Sequence, residues 1–328
     1  MFSDVYFRLL VELMEQDDKI SSIPKPSLSS GVAFSPAQYF SELIDFIYQC
    51  DPDSKLGLNF GNHLSPMNVC DFSRLLTTSD SIRSGLDIMI HYYHMLGLKP
   101  FPSVHQSFGT FSVAITFPYE EHYHEGCRRF AAETFYSYAA NYIREIVHPD
   151  INPKRIFLDY PKPTYGDDYL KTFKCPIEFD APLSMIEFSD HIIDTPLPTA
   201  NPALHKVYLN KAKDSWQTLK RLQSTRYRTI TQLMLNAPDC FNSQVLADSL
   251  NISVRGLQKR LSSEGASVSF VTQLARRELT KTCMIQKGLD TEDTAKCLGF
   301  QTLPSFRKFF KHQFGVSPAS FLRALHEL

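Results

Sequence analysis

Three side chains in the stretch SVRGLQKRL (253–261) carry chemistry at a usable spacing. Arg255, Gln258 and Lys259 stand at i, i+3 and i+4, which places them on one face of an α-helix. A guanidinium can donate two parallel hydrogen bonds to guanine, a carboxamide can donate and accept on adenine, and a helix fits the major groove. Such a face has base-reading chemistry; the plainer alternative is a solvated helix surface. Val254, Leu257 and Leu261 recur at i, i+3 and i+7 on another side and can face a core. A second group lies in TLPSFRKFFKHQF, where Pro304, Arg307, Lys308 and Lys311 fall together and Leu303, Phe306 and Phe310 form an apolar stripe. A basic face of that kind suits phosphate or base edges.

Other chemistry is weaker. His122 and His124, with Glu120, Glu121 and Glu125 beside them, offer imidazole and carboxylate to a divalent ion. A solvated acidic loop entering a helix accounts for them more simply. His91 and His94 lie one turn apart beside Tyr92 and Tyr93, and read as partly buried core histidines rather than ligands. No Gly-rich phosphate loop, nucleophile elbow or HExxH occurs, and no cysteine sits in a nucleophile signature. No catalytic residue, metal or cofactor is expected. The 17 Phe and 14 Tyr among residues 1–210 could line an apolar cavity with hydroxyl handles, although most such rings serve an ordinary core.

The elements that must position the two polar faces are legible from their punctuation. NSQVLADSLNISVRGLQKRLSSEG (242–265) has the form helix, tight turn, helix: Asn251 tolerates the left-handed turn conformation, and Ser253 can cap the second helix. TEDTAKCLGFQTLPSFRKFFKHQFGVSP (291–318) repeats the form around a Gly-containing turn. Between them VSFVTQLARRELTKTCMIQKG (268–288) reads as one continuous helix. About twenty helical residues span roughly 30 Å, close to the roughly 34 Å separating successive faces of the major groove. One chain could therefore place both polar helices in adjacent grooves.

Charge separates this region from the rest. Residues 211–328 hold 18 Lys and Arg against 9 Asp and Glu, whereas residues 1–210 hold 16 against 26, a contrast hidden in the net charge of −1. A basic segment joined to an acidic one points to nucleic acid at one end and other business at the other. At 43% hydrophobic and 21% charged residues, the chain is of the globular class rather than disordered or membrane-embedded. No run reaches about 18 apolar residues, and Asp4, Glu12, Glu15, Asp17 and Asp18 suit no secretory leader, so a soluble, cytoplasmic protein is expected. Seven scattered cysteines without a CxxC argue for reduced thiols rather than a disulfide framework or structural zinc.

The front half mixes helix and strand. Residues 21–36 read as a connection, leading to helices at 37–49 and 81–96, the second stopped by Gly97, and to another at 127–147. FGTFSVAITF (108–117), KRIFLDY (154–160) and MIEFSD (185–190) have the residue types and near period-two pattern of strands. The expected fold class is therefore mixed: an α+β regulatory domain over 1–205, a linker over 206–222 and an all-α domain over 223–328, with two helix-turn-helix units joined by a long helix.

The segments LADSLNISVRGLQKRL and LGFQTLPSFRKFFKHQFGVSPASF resemble the AraC/XylS-type transcription regulators over about residues 225–325. That resemblance implies a seven-helix DNA-binding domain, with Arg255, Gln258 and Lys259 at base-facing positions of the first unit and Leu303, Pro304, Arg307 and Lys308 in the corresponding stretch of the second. The candidate DNA-contacting set is Arg255, Gln258, Lys259, Arg260, Thr302, Ser305, Arg307, Lys308 and Lys311. Leu303 and Pro304 replace the polar residues often found there, which puts hydrogen-bonded base readout by the second unit in doubt and favours phosphate contact. KLGLNFGNHL, TSDSIRSGLDIMIHYYHMLG and the run from Lys154 to Pro202 are similar to the arabinose-binding-like regulatory domain of the ornithine-utilisation-regulator type, over about residues 20–205. The partners implied are double-stranded promoter DNA, RNA polymerase, a small-molecule effector and a second copy of the chain, with no membrane. Two alternatives stay open: a regulator controlled by a protein partner or by abundance, and a front-domain enzyme tethered to DNA.

Overall fold

Aliphatic and aromatic residues at helical spacing dominate the front of the chain, and the computed structural model, which describes residues 4–23, 36–67, 70–93, 100–118 and 125–326, assembles them as helices around a small sheet. In order come α1 (Asp4–Glu15), α2 (Pro36–Cys50), α3 (Leu56–His63), α4 (Asp71–Thr77) and α5 (Ile82–Tyr92). Strands β1 (Phe101–Ser107) and β2 (Thr110–Thr116) precede α6 (Glu125–Ile146), and β3 (Arg155–Phe157), α7 (Gly166–Phe173), β4 (Ile177–Glu178) and β5 (Met185–Ser189) complete the α/β part. The remainder is helical: α8 (Pro202–Leu222), α9 (Thr225–Leu235), α10 (Ser243–Ser249), α11 (Val254–Ser263), α12 (Val268–Lys281), α13 (Thr291–Cys297), α14 (Leu303–Phe314) and α15 (Pro318–His326). The expected mixed class is what the chain adopts.

Contacts divide the chain into two compact units, one of residues 1–115 and 122–217, the other of residues 116–121 and 218–328. The stretch expected to be a linker is helical, because α8 covers it from Pro202 to Leu222. Asn201 starts that helix by accepting the Leu204 amide at 3.0 Å on its side chain.

The sheet runs β1-β2-β5-β3-β4. β5 lies antiparallel to both β2 and β3, setting Val113 and Ile156 opposite Ile186 on either side, while β3 and β4 are parallel. A parallel pair requires a crossover, and α7 supplies it. Phe111 of β2 stacks on Phe188 of β5 at 5.6 Å between centroids. The three strands expected from alternation are present. β1 and β4 were not anticipated: FPSVHQS contains a proline, and β4 has only two residues whose pairing comes from distant sequence.

Helix α6 is the spine of the front unit. α3 lies against it where a Cβ on Gly57 would come within 2.8 Å of Phe130 Cα, and one on Gly61 within 2.8 Å of the Thr134 carbonyl, so only glycine permits this approach. α1, α2 and α3 close a core of Leu10, Met14, Leu43, Ile47, Phe60 and Phe130. The close approach buries Glu133, whose Oε2 accepts the Leu58 amide at 3.0 Å and whose Oε1 accepts the hydroxyls of Tyr165, at 2.6 Å, and Tyr169. Burial pushes that carboxyl up to about 7, although these donors and Arg129 act in the opposite direction. Arg129 lies 5.1 Å from the Tyr48 ring centroid and 5.8 Å from that of Tyr165.

α5 begins at the anticipated place because Ser81 and Ser84 form a reciprocal capping box. Its expected stop at Gly97, and His94, lie outside the described residues. His91 corrects an expectation: it is exposed rather than half-buried, with its Nδ1 2.8 Å from the Asp87 carbonyl oxygen one turn back. His122, His124, Glu120 and Glu121 also lie outside the described residues, among which no group of three or more His, Cys, Asp and Glu side chains is arranged to hold a metal.

Candidate nucleic-acid interface

The first helix-turn-helix unit forms from local chemistry. Asn242 caps α10 by accepting the amides of Gln244 and Val245 at 2.8 and 3.2 Å. The chain then turns through Asn251 at φ 56°, a left-handed conformation that Asn tolerates better than most residues. Ser253 accepts the Gly256 amide at 3.1 Å and starts α11. Leu257 and Leu261 of α11 are fully buried, as are Leu246, Ile230, Leu233 and Val271 from the helices of the same unit. The carboxylate of Glu264, just past α11, accepts the Thr225 and Arg226 amides at 2.7 Å each, so the end of one helix caps the start of α9. With its apolar side committed to the core, α11 leaves Arg255, Gln258, Lys259 and Arg260 exposed.

The second unit repeats the scheme with aromatic packing. Asp290 caps α13, Gly299 turns at φ 67°, and Thr302 accepts the Ser305 amide to start α14. Phe306 and Phe310 are fully buried among Met284, Ala295 and Leu298. Leu303, an apolar departure from the family pattern, packs against this cluster, which gives it work in the core. Pro304 occupies the first turn, where a missing N–H costs nothing. Thr302 and Ser305, both in the candidate contact set, already hydrogen-bond each other through their hydroxyls at 2.9 Å. Arg307, Lys308 and Lys311 are exposed on the face away from Phe306 and Phe310. Gly315 at φ 75° closes the helix.

Between the units, α12 runs from Val268 to Lys281 and continues as a π-helical turn through Gln286. At about 1.5 Å per residue this rod approaches 28 Å. On this rod the buried Glu278 pairs with Arg277 at 2.9 Å and Lys281 at 3.1 Å, and on α13 Lys296 pairs with Glu292 and Asp293. By contrast, among the described residues, Arg255, Lys259, Arg260, Arg307, Lys308 and Lys311 take part in no ion pair. The two helices that come after the turns thus each carry a cluster of exposed cations with no ion-pair partner among the described residues.

Comparison with known proteins bears on the whole chain. Residues 21–197, more than half of it, match the family described as the arabinose-binding domain of AraC transcription regulators, and residues 246–324 match a helix-turn-helix domain family. The chain is an AraC-type transcription regulator. It is 22% identical over 298 residues to the HTH-type transcriptional regulator VqsM of Pseudomonas aeruginosa, covering 87% of this chain and 88% of that one. The regulator VirS of Mycobacterium tuberculosis is 21% identical over 153 residues, covering 47% of this chain and 45% of its own length. In fold, the crystal structure of the transcriptional regulator CdpR from Pseudomonas aeruginosa matches with a TM-score of 0.50 at 18% identity, covering 97% of this chain and 98% of that one.

All seven cysteines of this regulator are free thiols, and burial pushes Cys283 up to about 12, away from reactivity at neutral pH. No helix among the described residues is long and apolar enough to cross a membrane. What sequence reasoning missed in the DNA-binding unit is a contact between the two helix-turn-helix units, made by Arg276. Its only sequence signal is the Arg-Arg pair in LARRE, since the aromatic partners of Arg276 are far along the chain.

Proposed function

We propose that this AraC-type regulator sits in the cytoplasm and reads a bipartite promoter site, α11 making base contacts through Arg255, Gln258 and Lys259 with Arg260 nearby on the backbone. α14 enters the adjacent groove, where Arg307, Lys308 and Lys311 hold phosphate more than they read bases and Thr302 and Ser305 present the helix N-terminus. The observation that carries this reading is that the exposed cations of α11 and α14 take part in no ion pair among the described residues, whereas Arg277 and Lys281 beside Glu278 and Lys296 on α13 do. Unmatched cations are what a polyanion displaces its counter-ions to meet. The front unit supplies control: a small effector bound there favours one arrangement of the chain over another, and so changes how RNA polymerase and a second copy of the chain are engaged at the promoter. Support for an effector is the arabinose-binding-domain match over residues 21–197.

Selection of the full-length protein against a random-sequence duplex pool tests the DNA reading. Enrichment of a site with two conserved patches about one helical turn apart is expected; no enrichment, with no duplex retention at low ionic strength, overturns it. Native mass spectrometry of freshly purified protein tests the effector, since a copurified small molecule identifies its class, and control by a protein partner leaves the chain at its bare mass.

A further inference from the structure

We infer that Arg276 is a positioning residue that locks the two helix-turn-helix units together and sets the spacing between the two parts of the DNA site; this deepens the bipartite reading and rests on it. Arg276 projects from α12 between two phenylalanine rings, its guanidinium carbon 4.5 Å from the centroid of Phe241 and 4.2 Å from that of Phe300. Phe241 belongs to the first unit, in the 3-10 turn that leads into α10. Phe300 belongs to the second, where it packs on Phe306 and Phe309 at 5.4 and 5.2 Å. Arg276 Nε also donates to the Leu298 carbonyl at 3.0 Å, satisfying an acceptor at the C-terminal end of α13 where the helix dipole favours a cation.

A second observation places the units in direct contact at the same spot. Gly299, the turn of the second unit, has φ 67°, and a Cβ there would lie 3.2 Å from Phe241 Cβ and 3.4 Å from the Pro238 carbonyl oxygen. Glycine is required there by conformation, and a side chain would also press Phe241 back by a few tenths of an ångström.

The rod alone does not fix the second unit. It leaves α12 through the π-helical turn Thr282–Gln286 and Gly288 at φ 63°, a joint where helix direction is set by weak local geometry. A second strut is needed, and the Phe241–Arg276–Phe300 stack is one. A planar guanidinium can lie against two rings while one N–H remains aimed at a carbonyl, which a compact, strongly hydrated ammonium does less well. Burial lowers the pKa of Arg276, but a guanidinium is not deprotonated in proteins and the cation persists.

The test uses full-length protein and the selected duplex with its two parts at native spacing, at spacings changed by one and two base pairs, and with either part scrambled. Wild type is expected to lose about tenfold affinity at altered spacing. Arg276→Lys and Phe241→Leu should each weaken the native-spacing site about tenfold while changing altered-spacing and single-part sites less than about twofold, so that the spacing preference collapses. Equal losses on every duplex mean a merely structural role and overturn the inference, as does retention of the full spacing preference by both variants. If wild-type protein shows no spacing preference, the bipartite reading falls and this inference with it; a preference in wild type that survives in the variants sinks this inference alone. Thermal melts of both variants accompany the titrations, and the single-part duplexes report whether each unit is still folded.

Discussion

The two units of this regulator treat arginine in opposite ways. In the front unit Arg129 is drawn between the rings of Tyr48 and Tyr165 beside a buried carboxylate, so its charge is spent inside the fold. In the rear unit Arg255 and Arg307 stand exposed with no ion-pair partner among the described residues, while Arg276 is sequestered between elements. The difference separates two jobs that sequence composition runs together. A cation held by rings and carboxylates stabilises a fold, and one left in water is available to a polyanion. Damage to the first kind should show in unfolding, and damage to the second in DNA affinity alone.

The largest effect belongs to the front unit. Gly57→Ala places a methyl 2.8 Å from Phe130 Cα and 2.5 Å from Glu133 Oε2, and since backbone cannot yield as a flexible side chain can, α3 must lift from α6. A loss of about 3 kcal/mol is expected in urea unfolding of the front transition, with the rear transition unmoved. An unchanged front midpoint contradicts the close helix contact.

Glu133 gives the next effect and its sign is set by burial. The folded state holds its proton up to about pH 7, whereas an unfolded carboxyl releases it near 4.5, so between those values the native state binds more protons. Stability of the front unit is therefore greatest below pH 4.5 as far as this group is concerned and falls as pH rises to 7, by up to about 3 kcal/mol. Arg129 and the hydroxyls of Tyr165 and Tyr169, all facing the carboxylate, limit the fall. Glu133→Gln should flatten the profile between pH 5 and 8; a variant whose unfolding free energy keeps the wild-type slope locates the titrating group elsewhere.

Smaller changes are expected in the rear unit, and in binding only. Arg255→Ala should cost about 1 to 3 kcal/mol on the selected site and relax preference at one base pair, with unfolding shifted by less than about 0.5 kcal/mol. Equal, small losses on selected and random duplexes remove its base-reading role. Lys311→Ala should weaken all duplexes alike and reduce the slope of log affinity against log salt by about 1. A sequence-dependent loss there gives the second unit more base readout than its Leu303–Pro304 start suggests.

Where local chemistry decides, the sequence was readable. Ser253, Asn251 and Thr302 each act within three residues of themselves, and their caps and turn lie where the residue types put them. The amphipathic stripes of α2, α11 and α14 were legible for the same reason, because a buried face repeats every turn. What escaped depends on partners far along the chain. β4 exists only because β3 pairs with it, and the Gly57–Phe130 contact joins residues more than seventy positions apart. Nothing in LARRE sets Arg276 apart from Arg277, and only folding brings Phe241 and Phe300 against its guanidinium. The Arg255 and Lys308 faces were legible as surfaces because no ion-pair partner answers them among the described residues.

Hydroxyl-radical footprinting of the full-length regulator on its selected duplex addresses the central claim most directly. Two protected patches on one face of the helix, about 10 base pairs apart, are what a rod carrying α11 and α14 into successive grooves requires. A single patch, or protection without a helical repeat, contradicts it.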